Sequence, residues 1–206
     1  MAVAAVAYAV HRENRRMRPE AVPVMGLMAA FVYAAQLFNV PVTAGVSGHF
    51  LGALFAAVLL GPWQATLVMA AVIVLQCLLH ADGGLTVLGL NVINMGVVGT
   101  MLGFSIYWAI RRLVRGTNGL FVGAALAAWA SVVVAASLVS LEVWLCGDLP
   151  AGIIFGPMIG SHIGIGFLEA GVTVAALAVV WRVRPDLLGL QPAPRERAEP
   201  KGAEAS

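Results

Sequence analysis

Charge is scarce in this sequence. Only 12 Lys or Arg and 10 Asp or Glu occur among 206 residues, 11% charged, against roughly 25% in ordinary soluble domains. A fold wetted on all sides is therefore excluded. The net charge of +2 leaves no basic footprint for a nucleic-acid partner. Cysteine is nearly missing as well: Cys77 and Cys146 stand alone, far apart. They fit no metal or redox spacing and read as small buried hydrophobes; whether they pair is open at this level. The sequence has no thiolate or thioether cluster for Cu(I) and no carboxylate cage for Ca²⁺. No GxxxxGK[ST] loop occurs, so the chain does not hydrolyse ATP by that route. A secretory signal is excluded too, because the apolar stretch Met1 to Val10 comes before the arginines rather than after them.

What is abundant is apolar sequence, 61% of the chain. Runs of about 18 residues without charge recur, each long enough for a ~30 Å hydrocarbon core. The fold class expected is all-α: a polytopic helical membrane protein of seven transmembrane segments. Segment A, residues 1–10, covers only about 15 Å and reads as the tail of a truncated first helix. Segment B runs from about Val22 to Phe38, and Gly26, Ala30 and Ala34 lie on one face of it at four-residue spacing. Such a face admits close helix docking. Residues 39–48, with Pro41, Gly45 and Gly48, read as a loop. Segment C is short, about His49 to Leu60, and Gly61-Pro62 turns the chain. Segment D covers Trp63 to about Leu79, E about Leu88 to Ile110, F about Leu120 to Leu145, and G about Ile153 to Trp181 with a break near Gly156-Pro157. Residues 1–188 form one integral-membrane domain. The Pro-, Ala- and Glu-rich stretch 189–206 reads as a disordered tail.

The basic residues set the orientation. Four lie between A and B, three between E and F, and five after G. With C counted as a crossing, all 12 fall on one side, which the positive-inside rule makes cytoplasmic. The N-terminus is then outside and the C-terminus inside.

Polar residues within apolar segments ask for a function. This topology puts His49, His80, Asp82, Asn91, Asn94, Glu142 and His162 toward the outer side, and His11 alone among the histidines on the inner side. Glu169 follows His162 by seven residues on the same helical face, roughly 10 Å deeper, with His162 or a backbone donor as its expected partner. Imidazole nitrogens suit Co, Ni, Cu and Zn, so the outer rim reads as a metal-capture mouth. Plainer roles stand beside this. His49 could cap a helix, His80 could be a solvated loop residue, and His162, Asn91 and Asn94 could tie helices together. Gly45-Val46-Ser47-Gly48, with His162 downstream, leaves a rhomboid-like intramembrane serine protease as an alternative from another class. Against it, His49 follows Ser47 closely and the Trp-Arg loop motif of that family is missing.

The stretch GLMAAFVYAAQLFNVPVTAGVSGHFLGALFAAVLLGPW, then HADGGLTVLGLNVINMGVVG, GSHIGIGFLEAGVT and RVRPDLL, resembles the CbiM/NikM family over about Ala2 to Leu188. These are substrate-capture subunits of cobalt and nickel energy-coupling factor (ECF) transporters, of the ATP-binding-cassette class. The resemblance implies a non-enzymatic subunit that binds Co²⁺ or Ni²⁺ outside and delivers it inward. It also implies a transmembrane coupling subunit, ATPase subunits and a small accessory membrane subunit as partners in a bacterial or archaeal inner membrane. Cobalt so imported would serve cobalamin biosynthesis. No permanent cofactor is implied. His49, in the SGH motif, would be a metal ligand. The other nitrogens in that family come from a Met-His start. Asn91 and Asn94 would orient ligands around the ion, with His162 and Glu169 as structural support, and Gly26, Ala30 and Ala34 would be a docking face. This sequence begins Met-Ala-Val. Two readings of that remain: a chain whose first helix lacks roughly twenty residues, or a divergent subunit that has lost metal binding.

Overall fold

A computed structural model of the chain describes residues 1–15, 17, 19, 21–43, 46–147 and 149–188; the expected tail 189–206 lies outside them. In a bilayer every backbone N–H and C=O must be satisfied internally, which favours helices, and the described residues are overwhelmingly helical. They comprise α1 (Ala2–Asn14), α2 (Ala21–Gln36), a hairpin of β1 (Asn39–Thr43) and β2 (Val46–His49), α3 (Ala53–Leu60) and α4 (Pro62–His80). After these come α5 (Gly84–Asn91), a π-helical segment (Val92–Val98), α6 (Gly99–Leu113), α7 (Gly116–Cys146), α8 (Ala151–Val183) and a closing 3₁₀ turn (Pro185–Leu188). Among the described residues, four stretches are long and apolar enough to cross a membrane: Pro62–His80, Gly84–Leu113, Gly116–Cys146 and Ala151–Val183, with Ala21–Gln36 a shorter apolar helix.

Small residues let these helices approach. On α7, Ala124, Ala127, Ala128 and Ser131 are all fully buried. A side-chain carbon added to Gly103 on α6 would already touch Ser131 and Leu54, each at 3.4 Å. Two buried hydroxyls tie α4 to α6: Thr66 and Thr100 lie 2.7 Å apart, and the Thr100 Oγ1 donates to the Gly96 carbonyl at 2.6 Å. Such interhelical bonds in membrane bundles contribute about 0.6 kcal/mol on average.

The bundle has two unlike ends. Nineteen residues make α4 about 28 Å long. At its start, Trp63 packs edge-on against Tyr8, Arg12 lies over the same indole at 5.2 Å, and Gln64 Nε2 donates to Glu13 at 2.8 Å. Arg112 stacks on Trp108 at 3.3 Å in the last turn of α6, and Arg182 closes α8. At the far end of α4, which His80 closes, Asp82 lines a cavity.

Several expectations are corrected. The architecture is not purely helical: residues read as a loop form an antiparallel hairpin in which Asn39 pairs with His49 and Pro41 with Ser47. An isolated hairpin is marginal, but Val42 packs with Ile154, Met158 and Ala136, so burial on α7 and α8 supports it. Segment C is helical only over Ala53–Leu60, because residues 50–52 descend without helical structure. Segment E begins earlier, at Gly84, and contains the π segment. The expected break at Gly156-Pro157 is not seen: α8 is continuous, with Pro157 on an exposed face.

Candidate functional site

Between the hairpin, α4, α5, α7 and α8 lies a cavity of about 420 Å³. Its polar lining includes His49, Gln76, Asp82, Asn91, Glu142 and His162. Among the described residues no Lys or Arg lines it, and the arginines named above lie at the opposite end of the bundle. The lining carries two carboxylates against no fixed cation, so it favours a positively charged guest.

The floor is built around Glu169. This carboxylate is 1% exposed on α8, and both its oxygens accept backbone hydrogen bonds, from Leu51 N–H at 2.7 Å and Gly52 N–H at 2.7 Å. Between its two candidate partners, Glu169 therefore takes the backbone donors and not His162. A carboxylate here also complements the positive N-terminus of α3. From α2, Gln36 Nε2 donates to the Leu51 carbonyl at 2.7 Å. Gly52 permits the turn: its φ is +73°, and a side-chain carbon there would meet Val32 at 2.9 Å. Residues 51–52 are thus held from α2 and α8 at once, two and three positions after His49.

His49 ends β2, half-buried. Its Nδ1 lies 2.8 Å from the Phe50 carbonyl. A carbonyl only accepts, so in the neutral ring Nδ1 carries the proton and Nε2 the lone pair. His162 repeats the pattern, with Nδ1 2.8 Å from the Met158 carbonyl. Its ring lies against Gly48, where a side-chain carbon would stand 3.2 Å from Nε2.

Asn94 sits in the π segment, 1% exposed, and its Nδ2 donates to Glu142 Oε2 at 2.8 Å. Asn91 lines the cavity and packs its amide against Gly83, whose φ of +68° suits only glycine comfortably. His80 ends α4 rather than lying in the loop, and its Nε2 is 2.6 Å from Tyr33 Oη. His11 lies on α1, at the basic end with Arg12. Gly26, Ala30 and Ala34 all lie on an exposed face of α2. Ser47 lines the cavity, but no hydrogen bond among the described residues joins it to His49 or His162. Cys77 and Cys146 are free thiols; Cys77 is buried as expected, whereas Cys146 is exposed and lines the cavity. Among the described residues, no three His, Cys, Asp or Glu side chains converge closely enough to hold an ion by themselves.

Sequence reasoning passed over Gln36 and Gln76. Both are buried amides in apolar helices, and that signal was available.

The profile of the CbiM family, described as the cobalt uptake substrate-specific transmembrane region, matches residues 1–187. A cobalt transport protein CbiM from Sorangium cellulosum is 36% identical over 199 residues, covering 91% of this chain and 86% of that protein. A relative from Archaeoglobus fulgidus, named as a fused nickel transport protein NikMN, is 32% identical over 200 residues and covers 96% of this chain. The chain spans 65% of that relative's length. A crystal structure of a transition metal transporter superposes with a TM-score of 0.78 at 26% identity, covering 88% of this chain and 85% of that one.

Proposed function

From the chain's membership of the CbiM family of cobalt uptake substrate-specific transmembrane regions, we propose that it captures Co²⁺ or Ni²⁺ in the cavity beside His49. It then passes the ion inward as the substrate-specific subunit of an ATP-driven ECF transporter. The observation that carries this reading is the segregation of charge. Imidazoles, carboxylates and amides line a cavity at one end of the bundle, while arginines collect at the other.

In this reading the cavity end faces outward and the basic end lies in the cytoplasm. Seven crossings follow: α1, α2, α3 with its descending residues 50–52, α4, α5 through α6, α7 and α8. Residues 1–188 are one membrane domain, and 189–206 follow it on the cytoplasmic side. His49 offers Nε2 to the ion. Asn91 and Asn94 orient the rim, Asn94 by holding Glu142. Glu169 positions His49 through the Leu51 and Gly52 amides. The Gly26, Ala30 and Ala34 face receives a helix of the transmembrane coupling subunit. ATPase subunits supply the energy, a small accessory membrane subunit completes the assembly, and cobalt taken up serves cobalamin biosynthesis.

The test is uptake of labelled Co²⁺ and Ni²⁺ by cells expressing the chain with coupling and ATPase subunits. His49→Ala abolishes accumulation. Accumulation that persists in that variant, or that is lost in Ser47→Ala while His49→Ala transports normally, overturns the assignment.

A further inference from the structure

Resting on the reading that the cavity takes Co²⁺ or Ni²⁺, we propose that His162 is a second imidazole ligand of the transported ion, binding it together with His49. The Nε2 of His162 makes no hydrogen bond to any described residue, although the residue is only 8% exposed. The ring lines the cavity, so the lone pair of this nitrogen is available to a guest there. Its proton is committed elsewhere: Nδ1–H donates to the Met158 carbonyl at 2.8 Å, with Ser161 Oγ nearby at 3.2 Å. A metal-binding histidine characteristically donates its remote N–H to a carbonyl or carboxylate, which fixes the tautomer and raises the basicity of the other nitrogen. His49 has the same construction, with Nδ1 against the Phe50 carbonyl at 2.8 Å. Two imidazoles on one cavity, each with Nε2 free and Nδ1 engaged by main chain, form a nitrogen pair of the kind Ni²⁺, Co²⁺ and Cu²⁺ prefer.

Gly48 makes the pairing possible. It precedes His49, and any side chain there would strike Ile165 at 2.5 Å and the His162 ring at 3.2 Å. The absence of a side chain lets strand β2 lie directly on His162, bringing the neighbouring His49 to the same cavity. Asp82 and Glu142, which also line it, supply the negative charge a divalent ion needs.

The experiment counts imidazoles on the bound ion. The purified full chain in detergent is titrated with Ni²⁺ by calorimetry. It is then loaded with Cu²⁺, and electron spin-echo modulation reads the remote nitrogen of each coordinated imidazole. The wild-type protein is expected to show two imidazoles, and His49→Gln and His162→Gln one each. His80→Gln and His11→Gln keep two. Ni²⁺ affinity falls roughly 10- to 100-fold in His162→Gln, at least the loss typical of removing a ligand's supporting partner. A wild-type count of one, retained in His162→Gln and lost in His49→Gln, overturns the proposal while leaving metal capture standing. A wild-type chain that takes up no Ni²⁺ or Co²⁺ sinks metal capture and this proposal together. If His162→Gln fails to fold, a wild-type count of one still overturns the proposal, and a count of two that persists in His80→Gln and His11→Gln assigns the second ring to His162, because the chain has only four histidines.

Discussion

Glu169→Ala would leave the Leu51 and Gly52 N–H groups buried with no acceptor. In the native chain both bonds are 2.7 Å and end on a carboxylate, and hydrogen bonds to a charged group contribute about 1.5–3 kcal/mol each. Burying the carboxylate offsets part of that gain, so the net loss on truncation is about 3–5 kcal/mol. Glu169→Gln retains one carbonyl oxygen but points an amide N–H₂ at the second backbone donor. One bond survives and two donors then face each other, for a loss of about 2–3 kcal/mol. For a chain of about 200 residues, 1 kcal/mol shifts Tm by about 2–4 °C. The expected order in thermal unfolding of detergent-solubilised protein is wild type, then Glu169→Gln about 4–12 °C lower, then Glu169→Ala about 6–20 °C lower. Hydrogen exchange at the Leu51 and Gly52 amides should accelerate in both variants. Metal affinity should fall in the same order, because His49 lies two residues before the first anchored amide. A Glu169→Ala protein with wild-type Tm and unaltered exchange at these two amides would falsify the claim that Glu169 fixes the cavity floor. Glu169→Gln falling below Glu169→Ala would refute the hydrogen-bond arithmetic.

Gly48→Ala forces its new methyl into Ile165 and the His162 ring. It should cost about 1–3 kcal/mol and weaken Ni²⁺ binding, read by thermal unfolding and calorimetry. Asn94→Ala strands Glu142 at the cavity rim; a loss of about 1–3 kcal/mol with weaker Co²⁺ binding is expected, and Asn94→Asp should be worse because two carboxylates would then meet. Gly26→Leu meets open space, with nothing within 4 Å of the added carbon, so Tm of the isolated chain should change by less than about 0.5 kcal/mol equivalent. Its co-purification with the coupling subunit should nevertheless drop sharply, and unimpaired co-purification would remove this face of α2 as the docking site.

The membrane class was legible from composition, because a protein with so few charges and such long apolar runs has no other way to bury them. The basic end was legible as well, since the arginines mark the helix termini that the structure gives to α6 and α8. His49, Asn91, Asn94, His162 and Glu169 stood out as polar residues in apolar segments. The hairpin was not legible: Pro41, Gly45 and Gly48 signal a loop, and the burial of Val42 between α7 and α8 that supports these strands is a tertiary effect. The Glu169 contact joins residues 117 and 118 positions apart, beyond any local pattern. Helical periodicity also conceals the π segment, because the residues flanking it fit an α-helix equally well.

That π segment fixes a phase relation. Each residue of an α-helix turns the chain by about 100°, and a π turn holds one residue more than an α turn. The half of the rod before Val92 is therefore rotated relative to the half after Val98 from where an unbroken helix would put it. This offset lets Asn91 and Asn94 serve the cavity while Gly99 and Gly103, further along, press against Ala53 and Leu54. Deleting a single residue between 92 and 98 would restore uniform winding and swing one set of groups away from its target, whereas a substitution of similar size at an exposed position would leave both in place.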